Sequence, residues 1–595
     1  MRRAVVLSAC ALLAPLVAAL AAERPRDSDN WVDAPVADWP TNGGNYLNQR
    51  YSPLARIDRG NVAKLKGVWQ TQLRGSGTGT QYSGEAQPIV YDGVAYVSTG
   101  ADDVFAVSID SGEILWQYTA NLDPGLTSVC CGWTSRGVAV SRDKVFVGRL
   151  DTRLVALDRA TGKPLWDIAA ERWQENFSIT AAPVYYDGKV IVGFAGGDRG
   201  TRGRVKAFDA KDGKLLWTFY TIPGPGEPGH DSWPQTNDAW KYGGGSIWQT
   251  PAVDPELGLV YFSTGNAGPD YNGAYRAGDN LYTASIVAVD AATGKYRWHF
   301  QEVHHDIWDY DAANPVVLMD LRTNGGTRKA IAEVGKTGWA YILDRSTGKP
   351  IVGVDEKAVP QEPAQGTAAT QPFPRGDAVV PQFIEIAPEG FKLANDGRIF
   401  TPFSTDSPEL VNPGIWGGAS WPPSSYDPAA QTLFVCASSV VAEYKTAGDK
   451  TLVMPAQGQK YLGGATGITR LQRMGIFAAL DPTTNTLRWR YEWPEQCYSG
   501  VLATGGGLVF VGRNDGRLTA LDSSTGKQLW EFQTGAGMHA GASTFERAGK
   551  QYVLAYSAGN ALIGSARGDR LWLFGLDGKL PPAAPGTPAR RPPDP

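Results

Sequence analysis

The chain predicts an all-β fold, an eight-bladed propeller, on three observations. A strand–turn–strand unit ending in tryptophan recurs along it, the copies are spaced for four short strands each, and few stretches carry helical periodicity. The unit is clearest in Ala156–Trp166: an Ala/Leu/Val run enters, Asp-x-x-Thr-Gly supplies the turn, and an apolar-Trp pair starts the next strand. It returns as Ala207–Trp217, Ala288–Trp298, Ala479–Trp489 and Ala520–Trp530, with a variant at Ala106–Trp116. Ile342–Val352 keeps the turn but has Val352 in the Trp place, and Trp69 is an eighth, earliest copy without the turn ahead of it. From Trp69 the successive intervals are 47, 50, 51, 81, 54, 137 and 41 residues. Units of about 40–50 residues are propeller blades, and the two long intervals predict insertions on one face. The Trp side chains are expected to pack between neighbouring blades.

From the N-terminus, Met1-Arg2-Arg3 is a short basic start, Ala4 to Leu20 is apolar, and Ala21 and Ala22 precede a polar stretch. That is the layout of a secretory signal peptide over residues 1–22, too short and wrongly flanked for a membrane span. Cys10 leaves with it, and no later segment is apolar for long enough to cross a bilayer. The mature chain, with Cys130, Cys131, Cys436 and Cys497, is therefore expected in the periplasm, where a disulfide persists. Residues 23–580 form the expected propeller. Strands are legible at Val94–Val97, Lys144–Gly148, Lys189–Gly193, Leu259–Phe262 and Leu508–Val511. Residues 581–595 are Pro-rich and expected to be disordered. A net charge of −4, from 56 basic and 60 acidic residues, gives no reason to expect nucleic acid or anionic lipid as a partner.

Cys130 and Cys131 are adjacent. Such a pair closes only a strained ring, and so short a loop contributes little to stability. Two free thiols, or a bonded pair with a role other than stability, both fit the doublet.

The repeats, the Cys130-Cys131 doublet and the segment Val303-His304-His305-Asp306-Ile307-Trp308-Asp309-Tyr310-Asp311 together resemble the quinoprotein alcohol dehydrogenases. These are periplasmic eight-bladed propellers that bind pyrroloquinoline quinone (PQQ) and a metal ion on the axis. The resemblance runs from Trp39 to about Asp577. It implies that Cys130–Cys131, as a vicinal disulfide, and Trp248, in Gly243-Gly244-Gly245-Ser246-Ile247-Trp248, sandwich the flat cofactor. Arg136 matches the family's carboxylate-binding arginine, whose planar fork suits the task. Glu85, Thr180, Gly196, Gly197 and Ser246 match further cofactor contacts, and Lys336 matches the basic residue at the quinone oxygens.

For the metal, a hard cation wants oxygen ligands, and the resemblance supplies Asn266, Asp309 and, in place of the family's Glu, the shorter Asp198. Asp309 also matches the catalytic base. Asp311 matches an extra carboxylate of lanthanide-using members, but sugar and quinate dehydrogenases that use divalent ions carry it too, so calcium is expected and a lanthanide stays open. Adjacent His304 and His305 point to opposite faces of an extended chain and are expected to position the Asp309 loop rather than share an ion. Cys436 and Cys497 are too isolated to pair from sequence.

Near the pocket, Ser420, before Trp421, stands where the family often has Asn, and Tyr498 stands where many relatives carry a capping Trp. Both changes imply a roomier site and an alcohol bulkier than methanol, possible substrates including secondary alcohols. No Cys-x-x-Cys-His haem motif is present, so a soluble cytochrome c or another separate acceptor is the expected partner. Two rival readings are a sugar or polyol dehydrogenase of the same superfamily and a cofactor-free propeller scaffold of the outer-membrane assembly type. The scaffold shares the repeats only.

Overall fold

A computed structural model of the chain describes residues 31–75, 79–447 and 455–588. The expected signal peptide lies outside the described residues. Among the described residues, eight sheets of three to five strands carry the core, one for each repeat read from the sequence, and all their pairings are antiparallel except that of Tyr51–Ser52 with Val501–Thr504. The first is Ile89–Tyr91, Val94–Ser98, Val104–Ser108 and Ile114–Tyr118, with each strand paired to the next. Its third strand is buried at Val104, Phe105, Ala106 and Val107 alike, whereas its fourth is largely exposed. Strands apolar on both faces fit a sheet stacked between two others, and the solvated strand marks the outside. The eighth sheet closes the ring. Lys66–Gln72 pairs with Arg570–Gly575, so the N-terminal repeat supplies the outer strand of the last sheet.

The repeat now has a physical reason for each conserved letter. Asp158 Oδ1 accepts from both the backbone N–H and the hydroxyl of Thr161, and Gly162 N–H closes the turn on Asp158 O at φ +69°. The repeat's Ala faces its Trp across the third and fourth strands, as Ala156 with Trp166, and a β-bulge follows. The indole then donates to the neighbouring sheet: Trp116 Nε1 to Arg159 O, Trp166 to Ala210 O, Trp217 to Ala291 O, Trp298 to Arg345 O. Trp530 donates to Leu65 O and so latches the closing sheet. Apart from Leu65, each of these acceptors is followed by a glycine that lies on the ring: a Cβ on Gly348 would lie 2.5 Å from Trp298. Where Val352 replaces Trp, the facing turn has Asn485 at φ +57° instead of Gly, and its side chain bonds Ala340 O and Arg375 O. The missing ring and the missing glycine occur together because the first removes the need for the second.

Residues 39–52 run inside the ring. Asn48 Nδ2 reaches Thr250 O and Val316 O, Gln49 Nε2 reaches Leu318 O, and buried Arg50 Nε reaches Val501 O, so the segment bonds to the inner edge of at least three sheets. At the C-terminus, residues 581–588 form no strand, yet Ala583 N–H donates to Gln533 O and its side chain packs against the core. This stretch of the expected disordered tail is docked.

Candidate active site

Every site residue read from the sequence lies at one end of the sheets. Glu85, Cys130, Cys131, Arg136, Thr180, Ser246, Trp248, Asp309, Asp311 and Tyr498 are on connections from a fourth strand to the next first strand, and Ser420 and Trp421 lie between Glu409–Val411 and Ser425–Asp427, which both pair with Thr432–Thr446. Gly196, Gly197, Asp198, Asn266 and Lys336 are on second-to-third connections at the same end. The two long intervals deliver their insertions here as well, and the Asp-Thr-Gly turns fall at the opposite end.

Arg136 organises one cluster. Its Nη2 is 2.8 Å from Glu85 Oε2, and its Nη1 donates to Thr180 Oγ1 (3.0 Å) and Trp248 O (3.1 Å). The guanidinium carbon lies 5.1 Å from the Trp248 ring and 5.2 Å from the Trp421 ring, within cation–π range. Asn560 Nδ2 donates to the other Glu85 oxygen at 2.8 Å. Arg136 Nε is buried without a partner. Cys130 and Cys131 are joined as a disulfide, with Cys131 at φ +66°. Cys131 is exposed, and Cys130 and Trp248 are half-buried, which leaves flat surfaces bare beside a cation. The glycines fit tightly: a Cβ on Gly197 would lie 2.9 Å from Ser246 Oγ, and one on Gly196 2.3 Å from Asn176 O.

The second cluster holds the carboxylates. Lys336 Nζ is 2.7 Å from both Asp309 Oδ1 and Asp311 Oδ2, and the other Asp311 oxygen accepts the Asn266 backbone N–H at 2.7 Å. The loop carrying them is folded around Asp306, whose two oxygens accept the N–H groups of Trp308 and Tyr310, and Asp309 takes φ +62°. Left-handed backbone at a non-glycine residue is costly and concentrates at functional sites. His304 turns to Gln301 and Glu356, while His305 sits between the carbonyls of Gly278 and Gln365. The two imidazoles serve separate partners and brace the loop.

Burial raises the pKa of Asp309 well above the carboxylate range. Lys336 opposes the rise, and Asp311 and Asp198 add to it. Asp198 is raised by burial and by Asp311. Burial alone would lower Lys336, but Asp309 and Asp311 outweigh it and hold the ammonium charged. Among the described residues no three His, Cys, Asp or Glu side chains are grouped so as to hold a metal ion.

Sequence reasoning missed four features. Asp270 is 1% exposed, has Oδ1 without a partner, and is raised by burial and by Asp198 and Asp309. Its Gly268-Pro269-Asp270 setting reads as an ordinary turn. Asn560 carried no signal at all. Trp416 and His539 both meet the Tyr498 ring, at centroid distances of 5.7 and 6.1 Å, and Trp421 meets it at 5.5 Å. Tyr498 is thus packed among rings. Cys436 and Cys497 form a second disulfide, which fixes the residue before Tyr498.

Residues 39–475 match the family model described as glucose/ethanol/alcohol dehydrogenase, beta-propeller domain. Residues 455–579 match one described as outer membrane protein assembly factor BamB, a stretch that contains repeats and Tyr498 but neither the Arg136 nor the Lys336 cluster. The chain is 34% identical over 609 residues to quinohemoprotein alcohol dehydrogenase ADH IIB of Pseudomonas putida, covering 96% of this chain and 83% of that one. The crystal structure of quinohemoprotein alcohol dehydrogenase from Comamonas testosteroni is similar with a TM-score of 0.79 and 31% identity, over 93% of this chain and 82% of that one. A europium-containing methanol dehydrogenase is similar with a TM-score of 0.77 and 28% identity, over 91% and 98%.

Proposed function

The chain belongs to the PQQ-dependent quinoprotein alcohol dehydrogenases, and we propose that it oxidises an alcohol bulkier than methanol in the periplasm, using calcium beside PQQ and a separate electron acceptor. The observation that carries this reading is Lys336 bridging Asp309 and Asp311 at the same end of the ring as Cys130–Cys131, Arg136 and Trp248.

The residues suit both groups. Arg136 keeps a buried N–H without a partner, as expected of a cation awaiting a carboxylate, and Trp248 with the Cys130–Cys131 pair offers flat surfaces for a planar ring. Asp198, Asp309 and Asp270 all have raised proton affinity, from burial first; Asp311 adds to it at Asp198 and Asp309 against Lys336, and Asp198 and Asp309 add to it at Asp270. Lys336 offsets only part of this negative charge, and a hard cation would offset more through oxygen ligands. Asp198, Asn266 and Asp309 would hold the ion. Both Asp311 oxygens are already engaged by Asn266 N–H and Lys336, which favours Asp311 as the residue that orients the site and a divalent over a trivalent ion.

When bound, PQQ supplies the hydride acceptor and the ion a Lewis acid. Asp309, at 9% exposure the most open of the site carboxylates that are buried, accepts the hydroxyl proton of the alcohol. Lys336 holds Asp309 in place and offsets part of the repulsion from Asp311. Tyr498, Trp421 and Trp416 wall the substrate side with aromatic edges, and Ser420 leaves a small polar group there. The test is a panel of methanol, longer primary, secondary and aromatic alcohols and a free sugar, assayed with PQQ, calcium and a dye acceptor. Preference for bulky alcohols is expected. Preference for methanol or for the sugar overturns the substrate assignment.

A further inference from the structure

Alcohol oxidation leaves two electrons on the enzyme and releases two protons, and this chain has no Cys-x-x-Cys-His to hold a haem of its own. On the proposed reading the electrons pass to a separate molecule that approaches the end of the ring carrying the site residues. A loop there has unusual chemistry. Its base is fixed to both catalytic loops: Gln382 Nε2 donates to Thr337 O, next to Lys336, and Trp308 Nε1, next to Asp309, donates to Thr401 O. Ile384 N–H bonds Asp396 O and Ile399 N–H bonds Gln382 O, which pinch the loop closed, and Ile384 is buried against Leu410 and Val441.

Beyond that base the tip exposes Phe383 (40%), Ile386 (82%) and Phe391 (48%) within nine residues. Most other exposed large apolar side chains among the described residues, such as Ile114, Leu165 and Leu215, sit on fourth strands around the outside of the ring. The tip is also acidic. Residues 383–398 carry Glu385, Glu389 and Asp396 against Lys392 and Arg398, and Arg398 is occupied over the Phe383 ring, 5.3 Å from its centroid, with Asp396 at 4.0 Å. An apolar centre with a polar rim is the anatomy of a protein interface, and the sign of the rim selects a basic partner.

We propose that the tip of the loop at 383–398 is the docking surface for a small basic one-electron carrier protein, with Ile386 and Phe391 as anchors and Glu385 and Glu389 in the acidic rim. This rests on the dehydrogenase reading. Each docking event moves one electron from the reduced enzyme to the carrier without making or breaking a bond, so two carriers are reduced per alcohol oxidised. The protons leave to solvent.

The test uses the full-length enzyme with PQQ and calcium, a dye acceptor, and a lysine-rich c-type cytochrome as probe. Two variants are compared with wild type: Ile386→Ala with Phe391→Ala, and Glu385→Lys with Glu389→Lys. Both should keep the dye-linked rate, and both should lose about tenfold or more in cytochrome-linked kcat/KM. The wild-type cytochrome rate should fall with added salt, and the charge-reversed variant should lose that dependence. An unchanged cytochrome rate in both variants, or a wild type that reduces the dye but never the cytochrome, overturns the proposal. So does a wild-type dimer, seen by sedimentation, that the Ile386/Phe391 variant dissociates, because the patch then covers a second copy of this chain. Failure of the wild type to reduce even the dye strikes the dehydrogenase reading instead.

Discussion

Glu333 gives a pH dependence whose sign and size follow from its surroundings. It is 1% exposed, three residues before Lys336, and its Oε1 accepts the Asn314 N–H at 2.8 Å. Its other neighbour is Glu302, 0% exposed and reached by no nitrogen donor among the described residues. The two carboxyls bond each other only while a proton lies between them. Burial accordingly pushes Glu333 up to about 8 and Glu302 well above its ordinary range. In the unfolded chain Glu333 ionises near its ordinary value, so between about 4.5 and 8 the folded state holds a proton that the unfolded state has lost. Stability from this group is therefore complete below about 4.5 and is lost as pH rises through about 8. The displacement corresponds to roughly 5 kcal/mol as an upper bound. Glu333→Gln keeps an acceptor for Asn314 and removes the ionisation. In chelator-treated enzyme, the difference in urea midpoint between variant and wild type should shift in favour of the variant from pH 5 to pH 9. A difference that stays constant with pH would refute the reasoning.

Three further outcomes are expected. Asp309→Asn should retain PQQ binding, read from the cofactor's absorbance, and lose turnover by at least about a hundredfold, since an amide cannot accept the alcohol proton. Activity like wild type at saturating metal and PQQ would place the base elsewhere. Removing the two disulfides should separate stability from function. The Cys130/Cys131 double Ala variant should unfold near the wild-type denaturant midpoint and bind PQQ weakly. The Cys436/Cys497 double Ala variant, which reopens a sequence separation of 61 residues, should lose up to about 4 kcal/mol by loop closure and, as Tyr498 loosens, raise KM for the alcohol. Gly348→Ala, at φ +72° with a Cβ 2.5 Å from Trp298, should cost about 1–2 kcal/mol in backbone strain and about 1–3 in overpacking. A thermal unfolding midpoint equal to wild type would show that the Trp–Gly clasp carries no strain.

What was legible in the sequence divides along a physical line. The repeat is local chemistry. Asp158, Thr161 and Gly162 make their turn from one another, and Trp166 faces Ala156 within one hairpin, so the blades and their number could be read without knowing the fold. Site residues that belong to recognisable local strings, Cys130-Cys131, Gly243 to Trp248 and Trp308 to Asp311, were legible through family likeness, and the ring brings them to one end. The long-range partners were not. Asn560 reaches Glu85 across a separation of 475 residues, Cys436 finds Cys497 between adjacent sheets, and Asp270 enters the carboxylate cluster only because its loop packs beside Asp198 and Asp309. None of these has a periodic or spaced signature, because their meeting is set by ring closure. Tyr498 marks the same limit. As a letter it is a smaller ring than Trp and implied open space, yet its packing against Trp416, Trp421 and His539 places three further rings around it. On the proposed reading, four aromatic side chains that three separate loops deliver bound the substrate side together, and substituting Tyr498 alone would measure only part of their effect.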